Sequence, residues 1–177
     1  FYNRDFGGMI DYTGKWGHSN LLISNFDQHL GIVEGKRDSA TGQFLKELPN
    51  GAAAIATDAD FKTLSNQVPY QHVLHFKITS DNNFKIGKNR MDVVVGYQRN
   101  QRQEFGDPNN IYTPGAWFNL QTLSYAWRWH FPFSGNFKTS IGITGMFQSN
   151  QNLAEDVLIP AYRLFDIGGY VFTQYSK

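Results

Sequence analysis

Histidine side chains are the residues of this sequence best suited to hold a metal ion or a haem, and there are five, His18, His29, His72, His75 and His130. His72 and His75 are close in sequence, but a spacing of three on a strand places the two imidazoles on opposite faces, so we expect them not to share one ion. His29, near the loop end of a predicted strand, is the candidate haem ligand. That role would apply to haem as a bound small molecule rather than a resident cofactor. Since the one close histidine pair cannot share an ion, the sequence predicts no metal site and no resident cofactor.

The remaining titratable residues show no pair arranged for acid–base catalysis. Asp58 and Asp60 lie two residues apart in a predicted loop, a spacing found in calcium sites and also among solvated loop charges. The chain contains no cysteine, which excludes a disulfide framework, a thiolate nucleophile and a cysteine-ligated metal. We predict no catalytic residues and no enzymatic activity.

Basic residues offer the main polar candidates for ligand binding. Lys36 and Arg37, within the charged run of residues 34–38, suit an anionic chelate, although a charged loop edge that discourages wrong strand pairing explains them as well. Arg102 shares the polar face of its predicted strand with Gln98 and Asn100. It is therefore a candidate for contact with a ligand in a water-filled lumen or, alternatively, the partner of a nearby carboxylate such as that of Glu104.

Aromatic residues beside the second long loop offer flat surfaces. Tyr112 and Trp117 are candidates to contact aromatic or sugar-like groups of a ligand. These two, with Lys36, Arg37 and Arg102, complete the predicted ligand-binding set.

The elements that position these side chains are long strands. Alternation of apolar and polar residues predicts seven of them, over residues 2–14, 20–33, 70–80, 90–103, 117–131, 137–148 and 162–175. Short links rich in Gly, Asn, Asp, Pro or Ser (15–19, 81–89 and 132–136) alternate with long ones (34–69, 104–116 and 149–161). This rhythm predicts an all-β fold: an antiparallel up-and-down sheet paired in chain order, with tight turns at one rim and long loops at the other.

Each predicted strand has two different faces. Met91, Val93, Val95 and Tyr97 share one side, which suits lipid, while the alternate residues from Asp92 to Arg102 are mostly polar and suit a wet lumen. Aromatic residues make up 16% of the chain and concentrate near strand ends, as in the girdles at both interfaces of an outer-membrane barrel. They also suit the core of a soluble sandwich, but sandwich strands average only about 5 to 6 residues. Strand length favours the membrane.

The longest loop is expected to carry structure of its own. Residues 51–56 suggest a helical turn, and Phe61 and Leu64 have a spacing that would pack on one face. No apolar run approaches the length of a transmembrane helix, and a formal net charge of +1 provides no electrostatic argument for nucleic acid.

Several segments resemble the barrel portion of TonB-dependent outer-membrane receptors. They are residues 25–38 (NFDQHLGIVEGKRD), 41–44 (TGQF), 69–75 (PYQHVLH), 96–105 (GYQRNQRQEF), 142–150 (GITGMFQSN), 158–162 (LIPAY) and 165–168 (FDIG). The resemblance implies a 22-stranded barrel with an N-terminal plug. It also implies import of an iron chelate (siderophore), haem or a similar scarce nutrient across the outer membrane of a Gram-negative bacterium, with energy relayed by TonB.

On this basis we expect residues 1–177 to be a single unit that forms part of a larger transmembrane barrel, because seven strands do not close a barrel of the usual even number. Its expected partners are outer-membrane lipid, a small-molecule nutrient and, through N-terminal parts outside this sequence, TonB. Two alternatives remain: a soluble antiparallel β domain that binds carbohydrate or protein, and a small structural outer-membrane barrel without a transport role.

Overall fold

The computed structural model describes residues 2–32, 36–65, 68–132, 136–157 and 159–176. Three features expected from the sequence lie outside them: the end of the second strand at Val33, the start of the charged run at Glu34, and the centre of the third short link, residues 133–135. Leu158, in one of the segments quoted above, is also outside.

The described residues form an all-β structure with one short helix. Its elements are β1 (Tyr2–Gly14), β2 (Gly17–Gly31), β3 (Leu45–Glu47), β4 (Ala53–Ile55), α1 (Asp58–Lys62), β5 (Tyr70–Ile86), β6 (Asn89–Phe105), β7 (Ala116–His130), β8 (Phe137–Asn152) and β9 (Tyr162–Tyr175). Seven long strands make one antiparallel sheet in the order β1-β2-β5-β6-β7-β8-β9, and β3 pairs with β4 separately. The predicted antiparallel pairing in chain order is confirmed.

Polar segments next to the short links were wrongly assigned to those links. Residues 81–86 belong to β5, where Asp81, Asn82 and Asn83 pair with Val94, Val93 and Asp92. The Asn and Asp residues resemble turn formers, but their side chains are hydrogen-bonded to neighbouring strands, Asn82 with Ser19 and Asn83 with Asp92. Likewise, β2 begins at Gly17 rather than residue 20. At the other rim, β8 continues to Asn152, into the predicted long link 149–161.

Two of the short links are two-residue turns. Gly14 pairs with Gly17 across residues 15 and 16, and Ile86 pairs with Asn89 across residues 87 and 88. Gly87, the first residue of the second turn, has φ +61°, which type II′ hairpin turns require and which residues with a Cβ rarely adopt.

The first two turns lie at different levels of the sheet. Gly17 is level with Phe84, yet β5 continues two residues further before its turn. Between these two turns the rim therefore shifts by two residues over two strands. Further along, Arg90 is level with His130 and Ser140, the last pair in the β7–β8 register.

One face of the sheet, the apolar face, carries most of the hydrophobic side chains of the seven strands, although Ser19, Ser80 and Asn82 also lie on it. One row contains no polar residue: Gly8, Ile23, Ile78, Tyr97, Leu123, Phe147 and Phe165. Near the turns this face is rich in aromatic rings, including the Trp16–Phe84 contact at 5.5 Å and the Trp127–Trp129 contact at 6.3 Å between centroids. Towards the long loops the same face becomes polar, beginning at Arg99, Gln121 and Ser149.

The opposite face, the polar face, is held together by side-chain hydrogen bonds. His75 bonds Asn100 at 3.1 Å, Gln148 Nε2 donates to Thr122 at 2.9 Å, and Arg128 Nε donates to the Tyr170 hydroxyl at 2.7 Å. The two faces thus differ in chemistry between the turns and the level of Arg99.

Neither face is covered by a second layer in the described ranges. The buried hydrophobic residues there are Tyr70, Phe105 and Ala116, and all three lie at the loop end of the sheet. Tyr70 and Phe105 stack with centroids 4.3 Å apart and an interplanar angle of 5°. The core is therefore small and local, and the apolar rows in the middle of the sheet have no protein packed on them.

Residues 36–65 fold into a compact unit above the sheet. The predicted helical turn at 51–56 is wrong: residues 53–55 form β4, which pairs with β3, and the helix begins at Asp58. Phe61 packs edge-on against Phe44 at 6.0 Å, a partner too distant in sequence for helical spacing to reveal. No helix in the described parts of the chain is both long and apolar enough to cross a membrane.

Candidate metal and ligand site at the loop end of the sheet

The strand register assembles a row of side chains that the sequence does not show. On the apolar face, above the hydrophobic rows, Tyr2, His29, His72, Gln103 and Trp117 are successive neighbours across β1, β2, β5, β6 and β7. The Tyr2 and His29 rings stack at 4.4 Å, and the His29 and His72 rings stack at 3.9 Å. Aromatic packing therefore fixes both imidazoles.

Asp27 lies beside this row and contacts both histidines. Its Oδ1 is 2.8 Å from His72 Nε2 and 3.8 Å from His29 Nε2. The three side chains are 16 to 24% exposed, which makes them neither solvated surface groups nor core residues. A carboxylate oxygen of Asp27 and one nitrogen from each ring all lie within 4.8 Å of one another, so that two imidazoles and a carboxylate are close enough to share one ion. We call these three residues the Asp27 cluster.

The second nitrogen of His72 also meets an oxygen. His72 Nδ1 is 3.2 Å from Gln103 Oε1. Both neighbouring oxygens accept hydrogen bonds, whereas a neutral imidazole has only one N–H to donate. If His72 donates to Gln103 through Nδ1, it offers the Nε2 lone pair to a cation.

A cavity of about 380 Å³ opens next to the cluster, between the sheet and the unit formed by residues 36–65. Its lining includes Tyr2, His29 and Tyr70 from the sheet, and Phe44, Phe61 and Leu64 from the loop, so it is mainly aromatic and apolar. It lies on the side of the apolar face, beyond the end of the hydrophobic rows.

The charged residues of this loop cavity are paired with each other. Lys36 Nζ lies 2.8 Å from Glu47 Oε1, and Lys46 Nζ lies 2.5 Å from Asp60 Oδ1. The hydrogen bond from Lys46, followed by those from Thr57, lowers the pKa of Asp60 from 3.8 to about 2. These pairs hold the loop together and leave the cavity with balanced charge. The Asp60 carboxylate caps α1 and accepts a hydrogen bond from Lys46. These structural contacts, rather than a calcium site shared with Asp58, account for it.

The predicted ligand-binding residues are not gathered in one place. Lys36 lines the loop cavity, but the Arg37 guanidinium lies 3.8 Å over the Phe44 ring and donates to the Gly42 carbonyl oxygen. Arg102 is on the polar face, paired with Glu104 at 2.7 Å as the alternative proposed, although half-exposed rather than buried. Tyr112 and Trp117, like Arg37 and Arg102, do not line the cavity.

These two aromatic residues have different surroundings. Tyr112 is 79% exposed in the loop between β6 and β7. Trp117 ends the row that contains His72, and its buried indole Nε1 has no hydrogen-bond partner among the described residues.

The His29–His72 pair was missed because the long β2–β5 loop hides the register. His72 and His75 do lie on opposite faces, as predicted, with His75 bonded to Asn100 on the polar face. The predicted strand ends, residues 33 and 70, would have placed His29 opposite Leu74. Only the observed end of β2 at Gly31, with β5 beginning at Tyr70, aligns His29 with His72.

A second cavity, of about 510 Å³, lies at the turn end on the polar face. Its basic lining residues are Lys88, Arg90, Arg128, His130 and Lys138. The Asp92 carboxylate lies among these basic residues, 2.7 Å from His130 Nε2 and 3.3 Å from Arg90 Nε, and so balances part of the positive charge.

Comparison with protein-family models, with curated proteins and with solved structures finds no match for this chain.

Proposed function

We propose that this chain forms part of the wall of an outer-membrane β-barrel, as the resemblance to TonB-dependent receptors implies. The observation that carries the proposal is the apolar face. Hydrophobic side chains predominate on it, one of its rows crosses all seven long strands, and among the described residues no protein layer covers them. A soluble β domain would have to expose these rows to water or cover them with a second sheet, whereas hydrocarbon covers them without further protein.

The geometry of the strands supports the same proposal. The shift of two residues over two strands between the first two turns, with a rise of about 3.4 Å per residue and a strand spacing of about 4.8 Å, gives a tilt of about 35° when those turns lie at one level. Transmembrane barrels have strand tilts of about 35 to 45°.

The height of the apolar face also suits a membrane. On β8 it runs from Phe137 to Phe147, ten steps along the strand. At a tilt of about 35° this corresponds to about 28 Å along the barrel axis, close to the apolar band of about 25 Å in outer-membrane barrels. The aromatic rings near the turns would then lie at the periplasmic interface, and the polar face would line an aqueous lumen.

The proposed role of the whole protein is uptake of an iron chelate, haem or a similar scarce nutrient by a TonB-dependent receptor. This part rests on the sequence resemblance. The loop cavity supports it to the extent that an aromatic, apolar lining with paired charges suits a ligand with a flat apolar portion, such as haem or an aromatic chelate.

Tryptophan fluorescence tests membrane insertion. The full-length protein is reconstituted in vesicles as two variants that each keep one tryptophan of this chain, Trp127 within the hydrophobic rows or Trp117 above them. Lipids brominated along the acyl chains should quench Trp127 strongly and Trp117 weakly. Equal quenching of both tryptophans would contradict the proposal. So would a protein that is purified without detergent and is not quenched by the brominated lipids.

Uptake tests the receptor role. In cells that depend on the full-length protein for iron, replacement of residues 36–65 by a four-residue turn should abolish uptake of a ferric chelate or haem while the barrel still inserts. Iron uptake that is unchanged when TonB is deleted would refute the TonB-dependent mechanism.

A further inference from the structure

We propose that Asp27, His29 and His72 bind a divalent first-row transition-metal ion, of which Zn²⁺ is the first candidate, at the junction of the sheet and the loop cavity. The site is independent of the nutrient that the protein imports. It rests on three observations: the convergence of the donor atoms, the partner of the second His72 nitrogen, and the open side towards the cavity.

The donor atoms are placed for a small tetrahedral ion. Zinc–nitrogen and zinc–oxygen bonds of about 2.0 to 2.2 Å separate neighbouring ligands of a tetrahedron by about 3.3 Å. The contacts of Asp27 Oδ1 with His72 Nε2, at 2.8 Å, and with His29 Nε2, at 3.8 Å, lie on either side of that separation. The separations are thus close to those of the bound state. Because the two rings are stacked at an interplanar angle of 24°, an imidazole must also rotate to direct its in-plane lone pair at the ion.

Gln103 supplies the partner that metal-binding histidines usually have. A ligating imidazole commonly donates its other N–H to an oxygen, which fixes the ring and its tautomer. His72 Nδ1, 3.2 Å from Gln103 Oε1, has this contact. In the tautomer with Nδ1 protonated, Nε2 carries its lone pair on the side of Asp27, which is where a metal ion would bind.

The rings lie close together before any ion binds. Tyr2 stacks on His29, and His29 stacks on His72. Arg4, level with Asp27 on β1, has its guanidinium 5.3 Å from the Tyr2 ring centroid, and no ion pair joins Arg4 and Asp27. The Asp27 carboxylate thus faces the two histidines.

The ligand set selects the class of ion. Two imidazoles and one carboxylate suit Zn²⁺, Cu²⁺, Ni²⁺ or Fe²⁺, whereas Mg²⁺ and Ca²⁺ prefer six or more oxygens. Three protein ligands leave one position of a tetrahedron open, as in catalytic zinc sites. Since His29 lines the loop cavity, that position is reached from the cavity and takes water or a donor atom of a bound molecule.

The experiment is calorimetric titration of the full-length protein in detergent with ZnCl₂, after removal of metal by a chelator. The wild-type protein should bind one Zn²⁺. His29→Ala and His72→Ala should each lower the zinc affinity more than about 100-fold, because each removes a ligand, whereas loss of a residue that only contacts a ligand costs about 10- to 100-fold. Gln103→Ala should produce that smaller loss. The matched control is His75→Ala, which removes a histidine from the same strand on the opposite face and should leave zinc affinity unchanged.

A measurement on the wild-type protein avoids dependence on the folding of variants. Electron paramagnetic resonance of the protein with one equivalent of Cu²⁺ should show coupling to two imidazole nitrogens. No zinc binding by the wild-type protein, an equal loss in His75→Ala, or a copper spectrum without nitrogen coupling would overturn the proposal.

Discussion

Replacement of Val95 by arginine distinguishes lipid from water on the apolar face. Val95 lies on β6 between Ser80 and Tyr125 of the neighbouring strands, and 41% of its surface is exposed in the isolated chain. A substitution at an exposed position in water usually changes the free energy of unfolding by less than about 0.5 kcal/mol. A larger cost must therefore come from what covers the exposed surface.

The depth of Val95 gives the expected size of that cost. Arg99, where this face becomes polar, is four residues away along β6, which at a tilt of about 35° corresponds to about 11 Å of depth. This is close to the midplane of an apolar band about 25 Å high, where arginine on the lipid face of a barrel costs about 2 to 4 kcal/mol. We expect Val95→Arg to destabilise the protein by that amount.

The adjacent residue provides a matched control. Val94 carries the same side chain on the same strand but points to the polar face, where it is level with Asp81 and Ala126. Val94→Arg places the new charge opposite a carboxylate and should cost less than about 1 kcal/mol. The assay is reversible denaturant unfolding of the full-length protein in lipid vesicles. Equal costs at the two positions, or a negligible cost at Val95, would refute the assignment of the apolar face to lipid.

Two further predictions concern the loop and the sheet. Because the pKa of Asp60 is lowered from 3.8 to about 2, its bond with Lys46 stabilises the loop above about pH 4 and is lost as the pH falls through about 2. Asp60→Asn should therefore speed proteolysis of residues 36–65 equally at pH 5 and pH 7, and an effect at only one of these values would contradict the assignment. Gly145→Ala should cost about 1 to 3 kcal/mol, since the added Cβ meets the Asp166 carbonyl oxygen, whereas at Gly168 the nearest atom is 3.9 Å away and the same substitution should leave the melting temperature unchanged.

The amino-acid sequence by itself determined the strands and their order. Alternation of side-chain type is a local property, so it could be read for each segment separately, and tight turns force antiparallel neighbours. Met91, Val93, Val95 and Tyr97 share a face in the structure as the alternation predicts. Errors occurred where polar strand residues resembled a turn, as at Asp81, because their hydrogen bonds lead to other strands.

The tertiary structure decided which side chains meet across a long loop. Strand pairing between β2 and β5 depends on a register that the intervening residues do not encode locally, and a shift of one residue would place His72 beside a different neighbour and on a different face. The actual register brings His72 to His29 and Asp27 and leaves His75 on the other side. The loop cavity is also a tertiary property, because its walls come from Tyr2, residues 36–65 and Tyr70, which are distant in sequence and become neighbours only when the strands pair.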